Sequence, residues 1–185
     1  MNAPDRTGGP DEKGKKAETL SPIFPDDVEE AASSLLRQCC AMEKRLATAE
    51  SCTGGLLASL LTDVAGASHA FERGFVVYSE ESKCDLLGVR RGQIAVCGAV
   101  SCDVALAMAE GAIAQSSADV ALAVTGYAGD APPGEEAGLV HFACATKNGP
   151  TVHREEHFGS TGRGPVRIKS IRVALDMMKN ALEQS

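Results

Sequence analysis

The sequence predicts an α/β domain with a mixed sheet, on three observations. Short apolar runs of strand length alternate with segments whose apolar residues recur at helical spacing. Residues 119–125 (DVALAVT) are almost wholly apolar, the pattern of a central strand covered on both faces. Asn148-Gly149 separates Leu139–Thr146 from residues 151–158, a hairpin signal that places antiparallel pairing late in the sheet.

The elements follow in order. Residues 1–21 are rich in Gly, Pro, Lys, Asp and Glu, with almost no large apolar side chain, and read as a disordered tail. Residues 22–185 are expected to form one domain. Behind Pro25-Asp26-Asp27, Val28, Ala32, Leu35, Cys39 and Met42 recur at helical spacing, with acids in the first turn. A strand is expected at 46–49, a helix at 54–64 and a strand at 71–78 (FERGFVVY) entered through Arg73-Gly74. Ser79-Glu80-Glu81 caps a short helix that reaches Leu87 and stops at Gly88. A small-residue helix spans 101–115 with a serine at its start. Residues 126–137 form a loop dense in Gly, Pro and acids. Pro165 fits the first turn of a last helix that buries Ile171, Leu175, Met178 and Leu182.

Composition narrows the function classes. A net charge of −7 argues against a nucleic-acid surface, although Lys and Arg gather again between Arg154 and Arg172. With no Trp, two Tyr and five Phe, the core is aliphatic and stacking on single-stranded bases is disfavoured. The seven cysteines are odd in number and no apolar secretory segment accompanies them, so reduced thiols in a cytoplasmic protein are expected. His69, His141, His153 and His157 match no zinc spacing with those cysteines, and no metal is expected. No run of about 18 apolar residues exists to span a membrane.

The most informative stretch is Leu46-Ala47-Thr48-Ala49-Glu50-Ser51-Cys52-Thr53-Gly54-Gly55-Leu56-Leu57. It reads as a buried strand, a tight polar turn and a helix start, where α/β proteins hold ligands on free N–H groups. Ser51 is a weak nucleophile unless a base takes its proton, and no histidine lies near it in sequence. Tyr78 and Lys83 sit at the next strand end and the following helix, on the same sheet edge if the strands are parallel. A Ser–Lys pair with a tyrosine moving or donating a proton suffices for an amidase; a solvated helix lysine is the competing reading. Cys52, with no His or Asn partner, reads better as a small filling residue than as a nucleophile. Thr125-Gly126-Tyr127-Ala128-Gly129-Asp130 could bring backbone donors to a ligand or be a plain turn. Residues 159–167 (GSTGRGPVR), with Arg163 and Arg167, suit a phosphate or carboxylate, or a solvated loop.

Taken together, these segments resemble the CinA C-terminal domain family, the nicotinamide-nucleotide amidases. The resemblance rests on Thr48-Ala49-Glu50-Ser51-Cys52-Thr53-Gly54-Gly55 and on Arg73-Gly74-Phe75-Val76-Val77-Tyr78-Ser79-Glu80-Glu81-Ser82-Lys83. Leu87-Gly88-Val89, Gly98-Ala99-Val100-Ser101 and Val124-Thr125-Gly126-Tyr127-Ala128-Gly129 follow in the family's order, so the likeness runs from about Asp26 to the C-terminus. It implies a three-layer α/β/α sandwich with a mixed, mostly parallel sheet. It also implies hydrolysis of the carboxamide of nicotinamide mononucleotide to nicotinate mononucleotide and ammonia, without metal or organic cofactor. On this likeness Ser51 is the nucleophile, Lys83 its base and Tyr78 the helper. Glu50, Cys52, Thr53, Gly54, Gly55, Thr125, Gly126 and Arg163 are then expected around the substrate, with Arg163 holding its phosphate end or helping to polarise the site. A homo-oligomer is expected because members of the family pack as symmetric assemblies.

One loop departs from the family pattern. The family's glycine loop commonly runs Gly-Ile-Ala-Gly-Pro, Gly-Gly and Lys-Pro-Val-Gly. Here Tyr127 replaces a branched residue, Asp130 a proline, and Glu136-Ala137 the Lys-Pro pair. Each added acid near an anionic substrate costs on the order of 1 kcal/mol when exposed. Two alternatives follow: a catalytically weak nucleotide-binding module, or an amidase for another small carboxamide.

Overall fold

A computed structural model describes residues 24–184, so the tail expected at residues 1–21 lies outside the described residues. The order is α1 (Asp26–Ala41), β1 (Leu46–Glu50), α2 (Leu56–Asp63), β2 (Phe71–Val76), α3 (Glu80–Leu87), α4 (Arg91–Cys97), α5 (Cys102–Ala114), β3 (Val120–Gly126), β4 (Leu139–Thr146), β5 (Val152–His157) and α6 (Arg163–Glu183). The strands form one five-stranded sheet ordered β2-β1-β3-β4-β5. Strand β1 pairs parallel with β2 and β3, while β4 runs antiparallel to both β3 and β5. Only β4 is reversed, so the mixed, mostly parallel sheet is as expected.

Two cores cover the sheet, and the pleat sorts side chains between them. Leu46, Leu122, Val124, Val140 and Phe142 pack toward α1, α2 and α6. Ala47, Ala49, Ala121, Ala123, Ala143 and Ala145 pack toward α3, α4 and α5. This alanine face lets α5 lie close to the sheet. α5 also crowds α3: a Cβ at Gly111 would overlap the carbonyl of Leu87, so only glycine fits there. That contact holds the end of the helix that carries Lys83.

Local signals account for α3. Ser79 Oγ accepts from the Ser82 N–H at 3.1 Å, and Gly88 ends the helix at φ 70°. The α5 cap likewise uses Ser101 Oγ, which accepts from the Val104 N–H. The short helix α4 was not anticipated; it has no acids in its first turn and buries only Ile94, so it leaves little periodic signal. None of the described helices is long and apolar enough to cross a membrane.

Candidate active site

Glu50 and Ser51 leave the end of β1 on opposite faces. The Glu50 side chain is fully buried and turns to the start of α2. Its oxygens accept from the N–H groups of Gly55 (3.1 Å), Leu57 (3.1 Å) and Ala58 (2.8 Å). It therefore caps α2 from inside, where a negative charge meets the positive helix end. Gly54 and Gly55 carry the turn with φ of 65° and 93°. Arg167 of α6 ties the turn down: its Nε donates to the Cys52 carbonyl at 2.8 Å. A Cβ at Gly54 would come within 3.2 Å of that guanidinium, a second reason for glycine.

Ser51, 8% exposed, turns the other way and meets Lys83. Lys83 is only 1% exposed. Its Nζ lies 3.1 Å from Ser51 Oγ, 2.8 Å from the Val77 carbonyl oxygen and 3.5 Å from that of Tyr78. No carboxylate lies within ion-pair distance of it among the described residues. Burial pushes its pKa below the usual lysine value of 10.5, outweighing the opposing pull of Cys52, Glu80 and Cys84. Its Nζ donates to the Val77 carbonyl, and Ser51 Oγ, which can donate as well as accept, stands within hydrogen-bond reach of it.

These groups open into a cleft of about 240 Å³. Of the residues expected around the substrate, Ser51, Cys52, Tyr78, Lys83, Thr125, Gly126 and Arg163 line it. Glu50, Thr53, Gly54 and Gly55 are not on its wall: the first two are buried and the glycines shape the turn. Tyr78 meets Lys83 through its main-chain carbonyl, while its side chain is largely exposed at 67% and makes no hydrogen bond to Ser51 or Lys83. A direct proton relay through this phenol is therefore not built into the described geometry. Thr125 Oγ1 donates to the Ala99 carbonyl at 2.8 Å, closing the wall between β3 and the start of α5. Arg163, the first residue of α6, takes no partner among the described residues. A Cβ at Gly129 would stand 2.8 Å from its guanidinium, so the glycine loop leaves room for that cation at the rim.

The turn offers fewer free donors than its sequence suggests. The Gly54 N–H goes to the Ser51 carbonyl and the Gly55 N–H to Glu50. The N–H groups of Cys52 and Thr53 take no main-chain partner among the described residues. The Cys52 thiol packs in the aliphatic core, and burial pushes its pKa up to about 12, so it stays protonated. The buried Thr53 hydroxyl has no hydrogen-bond partner among the described residues.

Two roles were not assigned from the sequence. Tyr127, on the glycine loop, lines the cleft together with Tyr78, so both tyrosines of the chain border the same space. Arg167 was visible as one of two cations opening α6, but nothing in its spacing distinguished the one that grips the turn from the one left free.

Comparison with known proteins agrees with this architecture. Residues 28–182 match the model of the CinA C-terminal domain. Over 133 residues the chain is 46% identical to a protein of Escherichia coli K12 named nicotinamide-nucleotide amidohydrolase PncC, covering 71% of this chain and 80% of that one. It is 44% identical over 140 residues to a CinA-like protein of Syntrophobacter fumaroxidans, a longer chain of which 32% is covered. The crystal structure of the competence/damage inducible protein CihA from Agrobacterium tumefaciens superposes with a TM-score of 0.83 at 42% identity, covering 86% of this chain and 98% of that one. A CinA superfamily protein from Escherichia coli gives a TM-score of 0.77 at 33% identity, covering 95% of this chain and 99% of that one. By the match of residues 28–182 to the family's model and by its likeness to these relatives, this chain belongs to the CinA C-terminal domain family.

Proposed function

We propose that this protein hydrolyses the carboxamide of nicotinamide mononucleotide, with Ser51 as nucleophile and Lys83 as its base. The observation that carries the reading is the buried Lys83 Nζ, without a counter-charge, 3.1 Å from Ser51 Oγ. Lys83 takes the hydroxyl proton as Oγ attacks the carboxamide carbon. The oxyanion falls to the main-chain N–H of Cys52, a cleft-wall residue whose N–H takes no main-chain partner among the described residues, a contact that strengthens as charge develops. The carbon–nitrogen bond then breaks, Lys83 returns the proton to the leaving nitrogen, and ammonia departs. Water attacks the acyl-serine through the same base, releasing the carboxylate and restoring Ser51.

The cleft suits the rest of the substrate. Tyr78 and Tyr127 present aromatic surfaces to a flat, positively charged pyridinium ring. Arg163, free of partners, offers a guanidinium fork to the phosphate. The name of the Escherichia coli relative points to the same reaction.

The test is ammonia release from nicotinamide mononucleotide. Wild type is expected to turn over, and Ser51→Ala to lose at least about 10³-fold in kcat. Equal rates in the two would remove Ser51 from the mechanism. Asp130 on the cleft wall motivates a second substrate: an uncharged carboxamide repelled less by that acid. Faster turnover of such an amide than of the mononucleotide, with Asp130→Asn reversing the order, would favour it.

A further inference from the structure

We propose that this protein carries a binding site for a divalent transition-metal ion of the zinc class, formed by His141, His153 and Glu155 on the β4–β5 hairpin. The register brings them together. His141 stands opposite Glu155 and His153 opposite Ala143, so all three side chains leave the sheet on the face that carries α5. His141 Nδ1 lies 3.1 Å from His153 Nε2 and 3.3 Å from Glu155 Oε2. Three ligand atoms within 4.8 Å of one another occur nowhere else among the His, Cys, Asp and Glu of the described residues.

The two separations from His141 Nδ1, 3.1 and 3.3 Å, are close to those between neighbouring ligands of one ion. Zinc–nitrogen bonds of about 2.0–2.1 Å at a tetrahedral angle separate neighbouring ligand atoms by about 3.3 Å. Hydrogen bonding within the cluster serves it less well. An imidazole nitrogen carries at most one hydrogen, so His141 Nδ1 can donate to His153 or to Glu155 but not squarely to both. A cation among the three serves all of them.

The surroundings also hold the ligands. His157 Nε2 lies 3.0 Å from the other oxygen of Glu155, and His157 Nδ1 lies 2.8 Å from Glu136 Oε2. Contacts of this kind orient a ligating carboxylate and are worth about 10–100-fold in metal affinity. His141 is buried, His153 half-buried and Glu155 exposed, so the site opens to solvent and leaves a position for water. Two imidazoles and one carboxylate suit zinc, nickel, cobalt or copper, whereas magnesium and calcium prefer all-oxygen sets. The inference is independent of the amidase reading. It nonetheless places the ion beside the cleft, because His141 pairs with the wall residue Thr125 across the β3–β4 ladder.

The experiment is a calorimetric titration of the metal-stripped full chain with zinc chloride, thiols kept reduced. Wild type is expected to bind one equivalent. His153→Gln and Glu155→Gln should weaken that binding by more than 10-fold, and His157→Gln by about 10-fold. The competing ligands are the seven cysteines, among them Cys102, whose thiol feels the charge of Glu155. Cobalt(II) separates the two on wild type alone, whether or not a variant folds. The cluster predicts visible bands of nitrogen and oxygen coordination without a thiolate charge-transfer band. Failure of wild type to take up zinc, uptake by folded His153→Gln equal to wild type, or a thiolate band with cobalt each overturns the proposal.

Discussion

Glu50 and Lys83 are both buried, both ionisable and both within a turn of Ser51, yet their surroundings differ in kind. Glu50 is on the α2 side of the sheet, where three backbone N–H groups and a helix end meet its oxygens. Lys83 is on the α5 side, where it meets two carbonyls and a hydroxyl and no charge. The lesson is that burial alone does not make a functional group. A buried carboxylate given matching donors becomes part of the frame. A buried amine denied a counter-charge is held toward its neutral form, ready to accept a proton.

The largest effect that tests this contrast is on chemistry. Lys83→Arg puts a permanent cation in place of the proton acceptor, since guanidinium stays protonated. A loss of at least about 10³-fold in kcat is expected in an ammonia-release assay, with the fold retained by circular dichroism. Substantial activity in Lys83→Arg would end the neutral-amine account. Next comes Glu50→Ala, which strands three N–H groups at the start of α2, that of Leu57 buried and those of Gly55 and Ala58 half-buried. We expect a destabilisation of about 3 kcal/mol in urea unfolding. A stable but inactive Glu50→Ala would instead move Glu50 from frame to chemistry.

The two arginines in the opening turns of α6, Arg163 and Arg167, sharpen the contrast further. Arg163→Ala should raise KM about 10–100-fold with kcat nearly unchanged, because only a charged hydrogen bond to substrate is lost. Arg167→Ala should do the reverse, lowering kcat about 10-fold with little change in KM, because the Ser51 turn loses its hold at the Cys52 carbonyl. The smallest effect is on stability. Lys83 binds its proton more weakly folded than unfolded, so between its lowered folded pKa and 10.5 the unfolded chain holds the extra proton. Stability contributed by this site therefore rises with pH across that window. Lys83→Met should unfold at higher denaturant than wild type at neutral pH, with the gap closing toward pH 10.5. A gap that widens with pH would mean that Lys83 is charged in the native state.

Much of this was legible before any coordinates. Apolar periodicity located α1 and α6, and Ser79, Gly88 and Ser101 marked helix ends that the fold uses as such. Asn148-Gly149 foretold the β4–β5 hairpin. The approach of Lys83 to Ser51 could be anticipated because a strand end followed by a helix start exposes side chains on one sheet edge wherever strands run parallel, and the family resemblance favoured that pairing over a solvated lysine. Local chemistry is written in neighbours along the chain, and these features depend on neighbours.

What the tertiary structure alone decided depends on residues far apart in sequence. Adjacent side chains point to opposite faces of a strand, so only the packed sheet made Glu50 a cap and Ser51 a cleft residue. The position of α6 chose which arginine holds the turn and which stays free. Strand register set His141 opposite Glu155, an adjacency that no spacing motif of His and Cys contains. The physical reason is common to all three. A side chain's partners are fixed by which elements pack against it, and that is a property of the whole fold rather than of any short stretch of sequence.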